Sequence, residues 1–384
     1  MHALTQPLAV LALAAGLAAP ACAADLKIGL ITSMSGPVSA LGVPYAKGMQ
    51  VAHERMAEIA GHKVQVILLD DASDPTAAAR NARKLVTEDK VDVLVGTSGV
   101  PGAMAIAAVA RETKTPLISP TPLNVPADDG GWTVTVSQPF PLMVAAVVER
   151  MKKSDVKSVA YIGFSDALGD LAYDSLIKAT GPAGIKVVAN ERYARSDSSV
   201  AGQVLKIIAT RPDAVFAGNS GTPGALPYLA LAERGYKGQI YGTHGLINAD
   251  FVRVGGASVE GLMVPSGPVM VADQLAADNP VKKVALEYRD AYKRSQGALP
   301  VDAFSAYTYD AYLVFADAAA RALKKGAEPG TPAFRAALKD AIAATHELAG
   351  THGVFSFKPG DAYGLDKRSA VVIRLDKGQW KLVP

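Results

Sequence analysis

Cysteine is almost absent from this chain of 384 residues, which contains Cys22 and no other. The rest of the chain therefore has neither an internal disulfide nor a cysteine-based metal site or nucleophile. Aromatic residues are also scarce, at 6% of the chain, and the 39 lysines and arginines nearly balance the 36 acidic residues. Because the basic residues form no tract, the sequence does not indicate a nucleic-acid partner.

Long apolar runs are missing too, apart from one near the amino terminus. Residues 8 to 19 are apolar and uncharged, and Pro20-Ala-Cys-Ala-Ala24 follows. This pattern is typical of a secretory signal, so we predict a signal peptide over residues 1–24 and a periplasmic protein, although no lysine or arginine precedes the run. A buried N-terminal element and a lipid anchor on Cys22 are the alternatives. No segment is long enough for a transmembrane helix.

The sequence also lacks the common motifs of enzyme chemistry. It has no G-x-S-x-G elbow, no P-loop and no dinucleotide fingerprint. His346 and His352 lie six positions apart, whereas a zinc-binding HExxH motif places its histidines four apart. We therefore predict no catalytic residues, no metal and no cofactor. A secreted hydrolase that uses Ser220 and His244 is the alternative from the enzyme class.

What the chain does contain is a regular alternation of strands and helices. Apolar runs at 26–31, 64–69 and 91–95 alternate with helical patterns such as 45–60. A second series of the same kind begins near residue 140. This alternation is typical of parallel sheets covered by helices, so we predict an α/β fold with two doubly wound, Rossmann-like lobes.

Two of the predicted strand-to-helix connections resemble each other. The strand at 91–95 runs through Thr97-Ser-Gly-Val-Pro101 into a helix, and the strand at 214–217 runs through a glycine-rich turn into another. In the second, Thr222 has the chemistry of an N-cap and Pro223 that of a first helical residue. Because helix N-termini bind anions, two lobes of this kind can close on one small carboxylate. Plain connections without a ligand are the alternative.

The order and spacing of short motifs along the whole chain after residue 24 resemble the branched-chain amino acid type of periplasmic substrate-binding protein, the receptor of an ABC importer. The resemblance implies a monomer of two lobes, with the ligand between them and three hinge strands near Gln138, Ser266 and Leu348. It implies an N-lobe of residues 25–137 plus 267–347, a C-lobe of 138–266 plus 348–384, and transient docking to an inner-membrane ABC permease. The motifs are Lys27-Ile-Gly, Met34-Ser-Gly-Pro37, Asp70-Asp-x-x-Asp-Pro75, Val95-Gly96, Ile118-Ser-Pro120 and Gly261-x-x-Val264.

The resemblance also implies a carboxylate site in the N-lobe. In the family, a loop after the third strand binds the ligand carboxylate through backbone N–H groups and a hydroxyl, and this loop aligns with Ser98, Gly99 and Val100. Val100 takes the hydroxyl position, so that contact is lost or shifts to Ser98. A second contact aligns with Thr121, and Leu123 occupies a position that usually carries a hydroxyl.

Other aligned positions indicate an apolar ligand. Leu41 replaces a large aromatic residue and Leu168 replaces a tyrosine, and Tyr45 and Phe164 are predicted to join the same wall. Ser220 and Thr222 are predicted to close over the ligand from the C-lobe. The family's disulfide near the two aspartates is lost, because its positions hold Ser73 and Gly99.

The departure that matters most lies in the Gly-x-Glu-Gly turn, whose acid pairs with the ligand ammonium in amino acid binders. Here the turn reads Gly242-Thr-His244-Gly. An imidazole cannot replace that carboxylate, and a protonated His244 would add positive charge. We therefore predict that the ligand is an organic acid without an α-amino group, aromatic acids above all. A branched-chain amino acid or amide binder, a sensing module of the same fold, and a purely structural His244 are the alternatives.

Overall fold

The computed structural model describes residues 24–384, so the predicted signal peptide lies outside the described residues except for Ala24. Within those residues, no helix has the length and hydrophobicity to cross a membrane. The strands are β1 (Leu26–Thr32), β2 (Glu58–Ile59), β3 (His62–Asp70), β4 (Val93–Gly96), β5 (Leu117–Ser119), β6 (Thr133–Thr135), β7 (Ser158–Phe164), β8 (Lys186–Tyr193), β9 (Ala214–Gly218), β10 (Gln239–Gly242), β11 (Met263–Ser266), β12 (Leu348–Ala349), β13 (Val354–Phe355), β14 (Val371–Asp376) and β15 (Gln379–Leu382).

The α-helices of the same residues alternate with these strands and then follow one another near the carboxyl end. Short 3-10 turns at Thr222–Ala225, Pro268–Gln274 and elsewhere link some of them. The helices are α1 (Ser39–Arg55), α2 (Pro75–Thr87), α3 (Val100–Thr113), α4 (Phe140–Lys153), α5 (Ala167–Ala183), α6 (Ala201–Ala209), α7 (Leu226–Glu233), α8 (Ala249–Gly255), α9 (Lys282–Gln296), α10 (Phe304–Lys324) and α11 (Pro332–Ala343).

Two sheets give the molecule its two lobes. The first has the strand order β2-β3-β1-β4-β5-β6 and is parallel except for the β2–β3 pair. The second has the order β15-β14-β11-β10-β9-β7-β8, with a parallel part from β11 to β8 and antiparallel β14 and β15 at the other edge. The predicted α/β class with two doubly wound lobes is confirmed.

Local chemistry explains where several helices begin. The side chain of Asp74 accepts a hydrogen bond of 2.6 Å from the N–H of Ala77, and Pro75 is the first residue of α2, as predicted. Helix α1 begins before Pro44 and passes through it, whereas the sequence indicated a start at residue 45. The wall of the cleft therefore begins nearly two turns earlier than predicted.

Helices α9 to α11 return to the first sheet and complete its core. Ile28 and Val95 of the sheet belong to one buried cluster with Tyr312, Phe315 and Phe334 of the returning helices. Helices α1 and α10 pack so closely that a Cβ at Gly48 would lie 1.7 Å from the carbonyl oxygen of Ser305. Glycine is therefore required at this contact.

The segment after α11 also packs in part on the first lobe. Phe355, Phe357 and Leu365 join the buried cluster of that lobe. The hydroxyl of Tyr363 accepts a bond of 3.1 Å from the N–H of Leu123 and donates one of 2.9 Å to its carbonyl. Within residues 348–384, the part that enters the second sheet begins at β14, and the aromatic side chains before it are buried against the first lobe. The lobe boundary at 348 stays a prediction.

The segments that connect the lobes meet around one buried amide. Nε2 of Gln138 donates to the carbonyl of Ser369 at 2.8 Å, and Oε1 accepts from the hydroxyl of Tyr307 at 2.6 Å. A Cβ on Gly267 would lie 2.1 Å from the ring of His352. His352 and Ser369 thus lie beside Gln138 and Gly267. The hinge positions near Gln138, Ser266 and Leu348 stay predictions.

Candidate functional site

A cavity lies between the lobes, at the carboxyl ends of both sheets. Its empty volume is about 330 Å³, and the centre of a water molecule can occupy only about 20 Å³ of it. Ligands of open α/β sheets bind at such strand ends. Nine predicted site residues line it: Leu41, Tyr45, Ser98, Gly99, Val100, Thr121, Leu168, Ser220 and His244.

The N-terminus of α3 forms one wall of this cavity. Gly99 is its N-cap residue in extended backbone (φ −114°, ψ 141°), and no side chain caps the helix. Pro101 is the second helical residue, so the first helical N–H belongs to Val100. Gly99 and Val100 both line the cavity. The wall thus presents backbone donors and the positive end of a helix dipole.

The hydroxyls of this wall are engaged within the protein. Thr32 donates to the carbonyl of Gly42 at 3.0 Å, so its oxygen is left to accept the Ser98 proton at 2.8 Å. Oγ of Ser98 in turn accepts from the N–H of Ser33 at 3.0 Å. Oγ1 of Thr121 donates to the carbonyl of Thr97 at 2.5 Å. Ser98 and Thr121 therefore shape the loop, and the free donors on this side are backbone N–H groups.

The opposite wall comes from loops that follow β9 and β10. Thr243 donates to the carbonyl of Asn219 at 2.5 Å and accepts from the N–H of Gly245 at 3.1 Å. A Cβ on Gly245 would lie 2.5 Å from the Cβ of Ser220. Glycine at this turn is what allows the two loops to pack side by side and present Ser220 to the cavity.

Thr222 does not have its predicted role. Gly221, with φ +65°, occupies the N-cap position instead, and a 3-10 turn over Thr222–Ala225 precedes α7. The positive φ favours glycine and turns the chain away before the helix begins. Thr222 is half-buried and does not line the cavity, so α7 contributes no helix N-terminus there. Leu168, at the start of α5, does line it, but the side chain of Asp166 accepts the N–H groups of Leu168 and Gly169.

His244 lies inside a group of aromatic rings. Its ring centroid is 5.8 Å from that of Phe140, 6.4 Å from Phe304 and 6.2 Å from Tyr307. Burial, together with the neighbouring His352, lowers the pKa of His244 to about 3. The expected imidazolium is therefore absent at neutral pH, because an apolar surrounding disfavours the charged form. Nδ1 has no hydrogen-bond partner among residues 24–384.

No carboxylate lines the cavity in the part of the chain that the structure describes. An ion pair beside the cavity joins Arg195 to Asp166, with Nε and Oδ2 2.6 Å apart. Nη1 of Arg195 donates to the hydroxyl of Ser220 at 3.2 Å. An ammonium group in this cavity would thus meet no acid on the described lining, whereas an anion would meet backbone N–H groups and a hydroxyl. Asp71 and Asp166 line a neighbouring cavity instead.

Two more predicted residues lie beside the cavity rather than on its surface. Leu123 packs in the core under α3, where the hydroxyl of Tyr363 fixes its backbone. Phe164 packs against Tyr193 and under Arg195. Sequence reasoning missed Pro122, Thr243, Gly245 and Phe304, which complete the lining. The first three are immediate neighbours of predicted residues in the sequence, and this proximity could have identified them as site residues. Phe304 has no predicted site residue beside it in the sequence.

Comparison with known proteins agrees with this architecture. The family described as "Periplasmic binding protein" matches residues 25–361. The chain belongs to this family. An extracellular ligand-binding receptor from Rhodopseudomonas palustris HaA2 shares 42% identity, with a TM-score of 0.90 over 94% of this chain and 100% of that one.

Members named for branched-chain amino acids are more distant. The Leu/Ile/Val-binding protein BraC3 of Rhizobium johnstonii is 28% identical over 84% of this chain and 85% of its own length. The leucine-binding protein LivK of Thermotoga maritima is 26% identical, with a TM-score of 0.80 over 94% of this chain and 98% of that one. The resemblance inferred from the sequence motifs is therefore confirmed at the level of the family.

Proposed function

We propose that this periplasmic binding protein captures a small carboxylate that lacks an α-amino group, an aromatic or other organic acid, and delivers it to an ABC permease. Secretion through the predicted signal peptide would bring it to the periplasm. The mechanism is binding without chemistry: the lobes open, the acid enters, and rotation about the connecting segments buries it.

One observation supports the proposal more than any other: no carboxylate lines the cavity among the described residues, and His244 occupies the turn where amino acid binders carry an acid. A buried ammonium without an acidic partner is strongly disfavoured. A carboxylate, in contrast, is favoured beside the uncapped N-terminus of α3. Leu41, Leu168 and Phe304 supply apolar surface for the rest of the ligand.

The size of the cavity supports a closing motion. Space for the centre of a water molecule amounts to about 20 Å³, which is close to what a single water needs. A ligand of several carbon atoms therefore requires the lobes to separate, both to enter and to be accommodated. This fits a receptor that closes over its ligand.

A branched-chain amino acid is the second candidate, because several relatives carry Leu/Ile/Val-binding names. In that case an ammonium group would have to be held by backbone carbonyls and hydroxyls alone. Such neutral acceptors compensate a buried charge less well than a carboxylate does. The two candidates therefore make opposite predictions for the same assay.

The test is thermal unfolding of the purified protein, without residues 1–24, against benzoate, 3-phenylpropanoate, 4-methyl-2-oxopentanoate, leucine and valine. A ligand at one hundred times its Kd adds about 2.7 kcal/mol of stability. We expect one of the three acids without an amino group to give the largest shift. A larger shift with leucine or valine would refute the proposal in favour of the second candidate.

A further inference from the structure

Arg195 is held in place on three sides. Its Nε bonds to Asp166 at 2.6 Å, its Nη1 bonds to Ser220 at 3.2 Å, and its guanidinium carbon lies 4.1 Å from the ring centroid of Phe164. The side chain is 18% exposed. A guanidinium fixed in this manner on an aromatic face is preorganised to bind a further group.

The third nitrogen of this guanidinium has no such partner. Nη2 of Arg195 is buried and makes no hydrogen bond to any of residues 24–384. An unpaired buried donor is costly, and a charged one more so. The arginine therefore has one donor available for a group that is not part of the chain.

Arg195 lines a second cavity between the lobes, with an empty volume of about 580 Å³, directly beside the first. Gly99, at the N-terminus of α3, lines both cavities. Ser220 lines the first and accepts the bond from Arg195. No acceptor for the proton of Ser220 lies within hydrogen-bond distance among the described residues, so this hydroxyl is also free to donate. The arginine and the serine thus border two neighbouring cavities, with the helix terminus at Gly99 common to both.

We propose that Arg195 is the cation that binds the ligand carboxylate when the lobes close. The carboxylate would sit between the N–H groups at the start of α3, from the first lobe, and Nη2 of Arg195 with the hydroxyl of Ser220, from the second. Asp166 and Phe164 are positioning residues, since they hold the guanidinium in place; Asp166 also lines the second cavity. This inference rests on the proposed function and names the group that the buried, uncharged His244 cannot supply.

The other acid in this space does not compete for the arginine. Oδ1 of Asp71 accepts from the hydroxyl of Ser33 at 2.6 Å and from the N–H of Ser73 at 2.9 Å, and its Oδ2 accepts from the hydroxyl of Thr97. All these donors belong to the first lobe, so Asp71 stabilises its own loops. Arg195 is thereby left to Asp166 and to an incoming anion.

The test compares a carboxylate with its uncharged carboxamide in two arginine variants. Arg195→Gln removes the cation, and Arg192→Gln is the matched control, because Arg192 also stacks on aromatic rings and pairs with an aspartate, Asp170, but lines neither cavity. The probes are benzoate with benzamide and 3-phenylpropanoate with 3-phenylpropanamide, measured by titration calorimetry.

We expect Arg195→Gln to weaken the binding of the acid at least tenfold and to change the binding of the amide less than threefold, while Arg192→Gln changes both less than threefold. Equal losses for acid and amide would mean that Arg195 only supports the fold of the cleft, and would overturn the inference. Unchanged acid binding would overturn it too. If neither acid binds the unaltered protein, the proposed function fails for these ligands, and the inference with it.

Two further variants keep the test valid if Asp166, once unpaired, destabilises the protein. The double variant Arg195→Gln with Asp166→Asn removes both charges and should lose the acid to the same extent as Arg195→Gln. Arg195→Lys keeps the charge but not the geometry and should recover part of the difference between acid and amide. A double variant that binds the acid as well as the unaltered protein would contradict the assignment.

Discussion

Replacing His244 with glutamate tests whether the cleft accepts anions for the reasons given above. The residue lies on the wall of a cavity with about 330 Å³ of empty volume. At a separation of about 7 Å, two negative charges repel each other by about 2 kcal/mol at an effective dielectric constant of about 20. That energy corresponds to about thirtyfold in Kd.

Protonation of the new carboxyl sets the pH dependence of this loss. Burial among aromatic rings and a nearby ligand anion both raise the pKa of the glutamate, so part of the repulsion is relieved by proton uptake. We therefore expect His244→Glu to weaken acid binding by at least about 1 kcal/mol at pH 8, and the affinity to recover as the pH falls toward about 5.5, where the ligand is still ionised.

The matched control is His244→Gln, which has the length of glutamate and no charge. Titration calorimetry of both variants at the two pH values separates charge from shape. The glutamate should also improve leucine binding relative to acid binding, because it provides a partner for an ammonium group. Equal affinities of the two variants for the acid at pH 8 would refute the placement of His244 beside a bound anion.

Three further predictions concern stability, each measured by chemical or thermal unfolding without ligand. Gly48→Ala should lower the free energy of unfolding by about 1–3 kcal/mol through its clash with Ser305. The control Gly202→Ala, at an open position on α6, should raise it by about 0.5 kcal/mol. Equal effects of the two substitutions would contradict the close packing of α1 and α10. The pKa of His244 is about 3 in the folded protein, below its value in the unfolded chain, so its contribution to the free energy of unfolding is complete above about pH 6.5 and is lost as the pH falls. About 2 kcal/mol of stability should disappear by pH 5. A His244→Gln variant with the same dependence of stability on pH would disprove this. Tyr363→Phe removes both bonds to Leu123 and should cost about 1–3 kcal/mol, and no change would show that these bonds do not hold the segment.

Much of the fold could be predicted because its signals are local. The cap of α2 needs only Asp74 and Pro75, and both hold the positions that their chemistry favours. Asn248, which caps α8 through a bond of 2.9 Å to the N–H of Phe251, is a signal of the same kind that was overlooked. Such signals depend on residues three or four positions apart, which the sequence shows directly.

The candidate site was harder to predict where it depends on distant contacts. Phe304 reaches the cavity because α10 packs on α1, and nothing within its own segment indicates that. Leu123 is apolar, as expected, yet the bonds of Tyr363 turn it into the core. The prediction that Thr222 is an N-cap is wrong for another reason. Gly221 adopts a positive φ and takes the N-cap position, and no pattern of neighbouring residues indicates this. Hydrophobic periodicity indicates which residues are buried, but it does not indicate which other residues they pack against.

The meeting of the three connecting segments at Gln138 limits how the two halves can move. One amide binds to Tyr307 on one side and to Ser369 on the other, and Gly267 touches the ring of His352 nearby. Because these segments contact one another so closely, they cannot move independently, and the two lobes should rotate about a single axis. A bulky side chain in place of Gly267 would then hinder this rotation and slow ligand binding, although no residue that contacts the ligand is changed.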